Sequence, residues 1–239
     1  MPARDEEATV GAIATAIRSA LMQAVPLVDE VIMVDSRSVD GTAAAARAVG
    51  AFVVSQDEVT RGLPPMHGKG DAMWAGLAVA SGDIVAFIDA DVHPFDPRFV
   101  SGLLGPLLTD AAVSFVKGFY HRPLTSGGYS EPDGGGRVTE VLARPLLNLF
   151  WPDLAGFVQP LAGEAAGRRE VLDRVPFVSG YGVGARHARG PARPRRPRRP
   201  RPGRYRRAGA PQSEQRGARP DGRADPAHRL VAARTSGTS

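Results

Sequence analysis

Asp83-Ile-Val-Ala-Phe-Ile-Asp-Ala-Asp91 decides the fold. Its apolar run has the length of a strand buried on both faces of a parallel sheet, and two carboxylates at i and i+2 close it. Open α/β sheets bind ligands beyond the carboxyl ends of their strands, which is where Asp89 and Asp91 stand. One such carboxylate can hold a divalent cation on a diphosphate while the other meets a ribose. Hard, hydrated Mg2+ favours a site of few carboxylates completed by phosphate oxygens. Aspartate is also common where a strand simply turns, so the pair gains its weight from its surroundings.

Working outward, the flanking segments alternate between helical and extended patterns. Val10, Ile13, Ile17 and Leu21 recur at steps of three and four and predict a helix from Glu6 to about Val25. Residues 30–35 and 52–54 read as short buried strands, with an Ala-rich helix from Thr42 to Val49 between them, ended by Gly50. Residues 57–67 read as loop, 69–80 as helix, 99–108 as helix and 113–120 as strand. A flexible loop is expected over 127–136, with a helix from Arg137 towards Phe150. The pattern predicts an α/β domain, a mainly parallel sheet covered by helices. The chain is expected to open directly on its first helix, without the strand that normally begins such a fold.

Two more segments carry chemistry. Asp35 and Ser36 end the earlier strand, placed to contact a nucleobase or ribose; Asp40 and Thr42, just beyond, read as helix caps. Gly68-Lys69-Gly70 opens a helix, where an ammonium beside the helix N-terminus makes a diphosphate clamp. The spacing is not that of a Walker motif.

In order, Pro2-x-x-Asp5-Glu6-Glu7, strand-Asp35-Ser36, Gly68-Lys69-Gly70 and strand-Asp89-Ala90-Asp91 resemble the GT-A glycosyltransferases. Longer motifs narrow this. Gly134-Gly-Gly-Arg-Val-Thr-Glu140, Ala143-Arg-Pro-Leu-Leu147, Gln159-Pro-Leu-Ala-Gly-Glu164 and Pro176-Phe-Val-Ser-Gly-Tyr-Gly-Val183 resemble the glucosyl-3-phosphoglycerate synthase family. The similarity covers residues 2–183 and stops abruptly.

That resemblance implies a GT-A fold and retaining transfer of glucose from UDP-glucose to the 2-hydroxyl of 3-phosphoglycerate, with Mg2+ or Mn2+. It also implies, for full-length relatives, a homodimer, in glucosylglycerate and methylglucose polysaccharide biosynthesis. Carried over, Pro2, Arg4, Glu6 and Ser36 line the uridine pocket, Lys69 touches the diphosphate, and Asp89 and Ala90 meet the ribose. Asp91 is the metal ligand. Gly136, Arg137 and Thr139 hold the acceptor, and the Leu161 backbone carbonyl faces the anomeric carbon. A guanidinium suits the acceptor because it binds phosphate and carboxylate bidentately. Mannosyl-3-phosphoglycerate synthase and polyprenyl-phosphate glycosyltransferase are the alternatives within the class.

Departures from the family accompany these matches. Arg4 and Asp5 replace the usual Leu and Asn, Gly184 stands where a Glu is expected, and the His-Arg-Asn cluster that completes the metal site has no counterpart. His187 and His228 lie in the tail without those neighbours, and His67, His93 and His121 read as surface or loop residues. The family's first strand, expected before Pro2, is missing. Its loss leaves backbone groups unpaired at about 1–3 kcal/mol each where buried, against a domain stability of about 5–15 kcal/mol. Activity of the chain as written is therefore doubtful on sequence grounds.

Composition divides the chain in two. It has no cysteine and carries a net charge of +5 over 239 residues. The 55 residues after Gly184 hold sixteen Arg and three acids, or +13, leaving −8 on the rest. Forty of those 55 are Arg, Ala, Pro or Gly, the composition expected when a GC-rich gene is translated out of frame. The expected domains are thus 1–183, the nucleotide-sugar and acceptor-binding unit, and 184–239, a disordered tail from a shifted frame. The rival is a non-catalytic protein with a genuine basic arm that binds nucleic acid. No run approaches the length of a membrane span and the start does not resemble a signal peptide, so a cytoplasmic protein without a membrane partner is expected.

Overall fold

A computed structural model of the chain describes residues 1–64, 68–119, 124–126, 129–131, 138–150, 152, 156–175, 177 and 229–234. Helix α1 (Glu7–Arg18) runs into a π-helical segment (Ser19–Ala24). The four apolar residues of the predicted stripe, Val10, Ile13, Ile17 and Leu21, are all buried. They share one core cluster with Met33, Leu103, Leu107 and Val116. Burying one stripe of each helix against the sheet supplies most of the driving force for such a fold.

Strands β1 (Pro2–Ala3), β2 (Ile32–Asp35) and β3 (Phe52–Ser55) form a parallel three-stranded sheet in that order. Helix α2 (Thr42–Ala48) links β2 to β3, and a short helix α3 (Gln56–Val59) stands where loop is expected. Helix α4 (Lys69–Val79) leads to β4 (Ile84–Phe87), and α5 (Arg98–Thr109) to β5 (Val113–Phe119). A hairpin, β6 (Leu124–Ser126) and β7 (Tyr129–Glu131), extends into the segment expected as flexible loop. A π-helical turn (Thr139–Ala143) and α6 (Arg144–Phe150) precede β8 (Ala165–Arg168) and α7 (Arg169–Leu172). The second sheet has the order β4-β8-β5-β9, with β8 antiparallel to both neighbours and β9 (Arg229–Arg234) parallel to β5.

Two expectations are corrected here. The chain does not open on a helix: Met1 donates its amine to the Ile32 carbonyl and accepts from Val34 N–H, and Ser36 N–H donates to the Ala3 carbonyl. A two-residue strand is enough to bring Pro2 beside Val34. The β8 segment, Ala-Ala-Gly-Arg, was not expected as a strand, because its small residues show neither alternation nor β-branching. In the tail, Arg229–Arg234 lie in a strand, where Leu-Val-Ala-Ala interrupts the Arg- and Pro-rich composition. Among the described residues no helix is long and apolar enough to cross a membrane.

Candidate functional site

The site is built where β4 ends. The β4 ladder stops at Phe87, Ile88 is buried, and Asp89 follows at the carboxyl edge of the sheet. Opposite it, Gly68 precedes α4 with φ of 126°, a conformation that glycine tolerates and side chains resist. That turn sets Lys69 as the first residue of α4, and its Nζ lies 2.5 Å from Asp89 Oδ2. Both side chains are mostly covered, 29% and 20% exposed. Asp89 Oδ1 is buried and has no hydrogen-bond partner among the described residues.

Gly163 forms the wall behind this pair. A Cβ built there would fall inside the Asp89 carboxylate and stand 2.8 Å from Lys69 Nζ. The next residue, Glu164, is buried, and its backbone carbonyl accepts from Gly118 N–H at 3.0 Å. Beside Gly118 on β5 is Lys117, paired in register with Ala165. Burial pushes the Lys117 ammonium down to about 8; Glu164 and Asp89 oppose that shift and Lys69 adds to it. Lys69 and Asp89 therefore pair where β4 ends and α4 begins, with Lys117 on β5 beyond the intervening strand β8. Lys117, Gly163 and Glu164 were not among the expected site residues. The available signal was that Lys117 is one of only two lysines in the chain, set in an otherwise apolar strand.

A second limb comes from the N-terminal arm. Glu6 N–H donates to Thr42 Oγ1 at 2.7 Å, Glu7 N–H to Asp40 Oδ2 at 3.1 Å, and Gly41 N–H back to Glu7 Oε2 at 2.8 Å. Asp40 also accepts from Thr42, whose hydroxyl bond holds the Asp40 carboxyl below the usual aspartate range. Asp40 and Thr42 thus tie the starts of α1 and α2 together, whereas the N-cap position of α2, expected for one of them, is held by Gly41. Thr9 Oγ1 donates to the Ala90 carbonyl at 2.7 Å, which fixes the arm to the Asp89-Ala90-Asp91 turn. Partial burial, reinforced by the Asp91 carboxylate, pushes the Glu6 carboxyl above its ordinary value.

The other expected residues are distributed as follows. Pro2 is half-buried in β1, Arg4 is exposed with its Nε 3.7 Å from Asp5, and Ser36 Oγ donates to buried Gln56 at 2.5 Å. Asp35 accepts from Ser38 N–H, a turn contact. Ala90 is buried and Asp91 exposed. Leu161 is 40% exposed, two residues before Gly163. Thr139 is buried in its π-helical turn, and no hydrogen bond joins it to the Lys69–Asp89 pair. Gly136 and Arg137 lie outside the described residues, as do His67, His121, His187 and His228.

The arrangement suits a phosphorylated anion. An ammonium at a helix N-terminus, a strand-end carboxylate and an exposed second carboxylate two residues on are what a nucleoside diphosphate with a cation needs. Among the described residues no group of three His, Cys, Asp or Glu could hold a metal unaided. Asp91, exposed at the turn, fits a cation whose remaining ligands are phosphate oxygens.

Comparison with known proteins gives a consistent result. The model of glycosyl transferase family 2 matches residues 1–175. The chain is 51% identical over 183 residues to the glucosyl-3-phosphoglycerate synthase of Mycolicibacterium smegmatis, covering 77% of this chain and 59% of that one. It is similar to the Mycobacterium tuberculosis glucosyl-3-phosphoglycerate synthase solved with Mn2+, UDP-glucose and phosphoglyceric acid, with TM-score 0.67, 45% identity, and 77% and 60% coverage. It is also similar to the mannosyl-3-phosphoglycerate synthase of Rubrobacter xylanophilus, with TM-score 0.70, 50% identity, and 77% and 56% coverage. These likenesses bear out the GT-A fold expected from the sequence.

Proposed function

Because the chain belongs to glycosyl transferase family 2, we propose that its site transfers glucose from UDP-glucose to the 2-hydroxyl of 3-phosphoglycerate with retention of configuration. The observation that carries this is the Lys69–Asp89 pair, packed against Gly163 at the carboxyl edge of the sheet. Lys69 clamps the donor diphosphate, Asp89 and Ala90 meet the ribose, and Pro2, Arg4, Glu6 and Ser36 line the uridine pocket. Support for that pocket is the web of bonds that draws the N-terminal arm onto Ser38, Asp40 and Thr42. Asp91 would hold a divalent cation, which would offset charge on the leaving diphosphate. The Leu161 carbonyl faces the anomeric carbon, and Gly136, Arg137 and Thr139 hold the acceptor.

The three relatives named above all carry 3-phosphoglycerate in their names; two name a glucosyl and one a mannosyl group. The similarity to the mannosyl enzyme keeps a GDP-mannose donor as the second reading. A cytoplasmic homodimer completes the proposal; exposed Val141, Leu142, Leu149 and Phe150 supply an apolar face that a second subunit would cover.

The test is release of UDP from UDP-glucose in the presence of Mn2+ and 3-phosphoglycerate. Asp91→Ala and Arg137→Ala should each lower turnover by about a hundred-fold or more, the usual cost of removing a charge-stabilising group. Unchanged turnover in both variants would reject the assignment, and faster release from GDP-mannose would move the donor to the second reading.

A further inference from the structure

Ser36 and Gln56 carry the pairing of the first sheet one step past its strands. Strands β2 and β3 run in register up to Asp35 and Ser55. Beyond that last rung Ser36 Oγ donates to Gln56 Oε1 at 2.5 Å. Arg37 then grips Asp57, with Nε on Oδ2 at 2.8 Å and Nη2 on Oδ1 at 2.5 Å. Arg37 takes φ of 64°, which turns the chain out of the strand direction directly after Ser36. Gln56 is fully buried as the first residue of α3, and its carbonyl accepts from Thr60 N–H and Thr60 Oγ1, each at 2.9 Å. A buried side chain pinned at its backbone and at its amide has little freedom to change partners. Ser36, by contrast, is only half-buried and stands at the carboxyl end of β2.

We propose that Gln56 is a positioning residue of the donor site: by taking the Ser36 proton it fixes that hydroxyl as an acceptor, so that the pocket selects a nucleobase presenting a ring N–H, as uracil does. The inference rests on the donor reading given above, in which Ser36 lines the uridine pocket. A hydroxyl has one proton to give and two lone pairs to accept with. With the proton committed to Gln56, a base meets Ser36 only by donating to it. Uracil offers an N–H at N3, whereas cytosine carries a lone pair on the same nitrogen. Two facing lone pairs leave both groups without a partner, and an unsatisfied polar group costs more than an ordinary hydrogen bond contributes. An unconstrained serine would not discriminate in this way, because its hydroxyl rotates to suit either base. The selectivity therefore resides in Gln56, which is fully buried and acts on the base through Ser36.

The test is a ratio of affinities. Calorimetry with UDP, CDP and UDP methylated at N3 is run on the full chain and on Ser36→Ala, Gln56→Met and Gln56→Glu, each checked for folding by circular dichroism. Wild type should prefer UDP to CDP, and to the methylated nucleotide, by about ten-fold or more. Gln56→Met frees the hydroxyl to donate, so the preference for UDP over CDP should narrow by about ten-fold, and Ser36→Ala should narrow it as well. Gln56→Glu still accepts the Ser36 proton and should keep the preference. A merely structural role for Gln56 would weaken UDP and CDP alike, and an unchanged ratio in folded Gln56→Met overturns the proposal. If the Gln56 variants do not fold, wild type and Ser36→Ala decide. Equal wild-type affinity for UDP and its N3-methyl form, or a preference untouched by Ser36→Ala, overturns the proposal alone. Wild-type protein that binds neither UDP nor CDP overturns the donor reading and this inference with it.

Discussion

A methyl group at position 163 has nowhere to go, since it would occupy the Asp89 carboxylate and crowd Lys69 Nζ. Gly163→Ala is therefore expected to break the ion pair and lower UDP-glucose affinity by about ten-fold or more, at a stability cost of about 1–3 kcal/mol, as for other overpacked sites. Calorimetry and urea midpoints check both; an unchanged affinity would mean that the pair is not the clamp. Lys117 has its own signature. Burial holds it at about 8, while an unfolded lysine titrates near 10.4. Below pH 8 the ammonium is charged in both states, and the folded state bears the desolvation cost. Between the two values the unfolded chain binds more protons, so stability should rise with pH by at most about 1.4 kcal/mol per unit. Urea unfolding from pH 7.5 to 10 should show that rise in wild type relative to Lys117→Met; parallel curves would contradict it. Lys69 and Asp89 were legible in the sequence because each sits at the junction of a helix or strand with a loop. Lys117 was not, because its burial depends on β8 pairing with β5, a pairing that local periodicity does not encode.

At the scale of elements, two adjacent arginines at the β8–α7 junction hold the helices that frame the site. Arg168 donates to the carbonyls of Val113, Leu107 and Asp110, tying the end of α5 to β5. Arg169 donates to the carbonyls of Gly82, Leu77 and Ala80, gathering the end of α4 and the turn that follows it. Helix carbonyls without intrahelical partners need such donors, and a cation also suits the negative end of the helix dipole. Arg169→Met should cost about 2–3 kcal/mol, the range for charge-assisted bonds lost from partly buried carbonyls. It should also loosen α4, so that Lys69 binds nucleotide less tightly. A loss within about 0.5 kcal/mol would show that water replaces the arginine, as at ordinary surface positions. The long helices were readable from apolar spacing, and α1 buries the stripe that spacing predicts. The four-residue helices α3 and α7 and the antiparallel β8 were not, being too short for periodicity to register.

Among the described residues the two larger sheets share one core cluster, with a slot of about 310 Å³ lined from β2 and β4. Met1, Ile32, Ile84 and Val85 line it, because β1 reaches only two residues along β2. The sequence suggested that no strand precedes α1, and two residues of extended chain cannot be told from a loop by pattern alone. Their bonds are nonetheless specific. Val34 and Ser36 amides donate to Met1 and Ala3, so hydrogen exchange should find both slower than the amides of β4 that face the slot. Equal rates would mean that β1 is not paired. Charge is divided at this scale too, −8 over residues 1–184 and +13 over the remainder, so the strand-end carboxylates belong to an acidic body and the basic surplus lies in the tail.

The most direct test of the central claim, that Lys69, Asp89 and Asp91 form a metal-assisted nucleotide-sugar site, is calorimetric titration of UDP-glucose into the full chain with and without Mn2+. Saturable one-to-one binding that strengthens with Mn2+, loses the metal response in Asp91→Ala and weakens by about ten-fold or more in Lys69→Ala is the predicted result. Absent binding, or binding indifferent to the metal and to both substitutions, would contradict it.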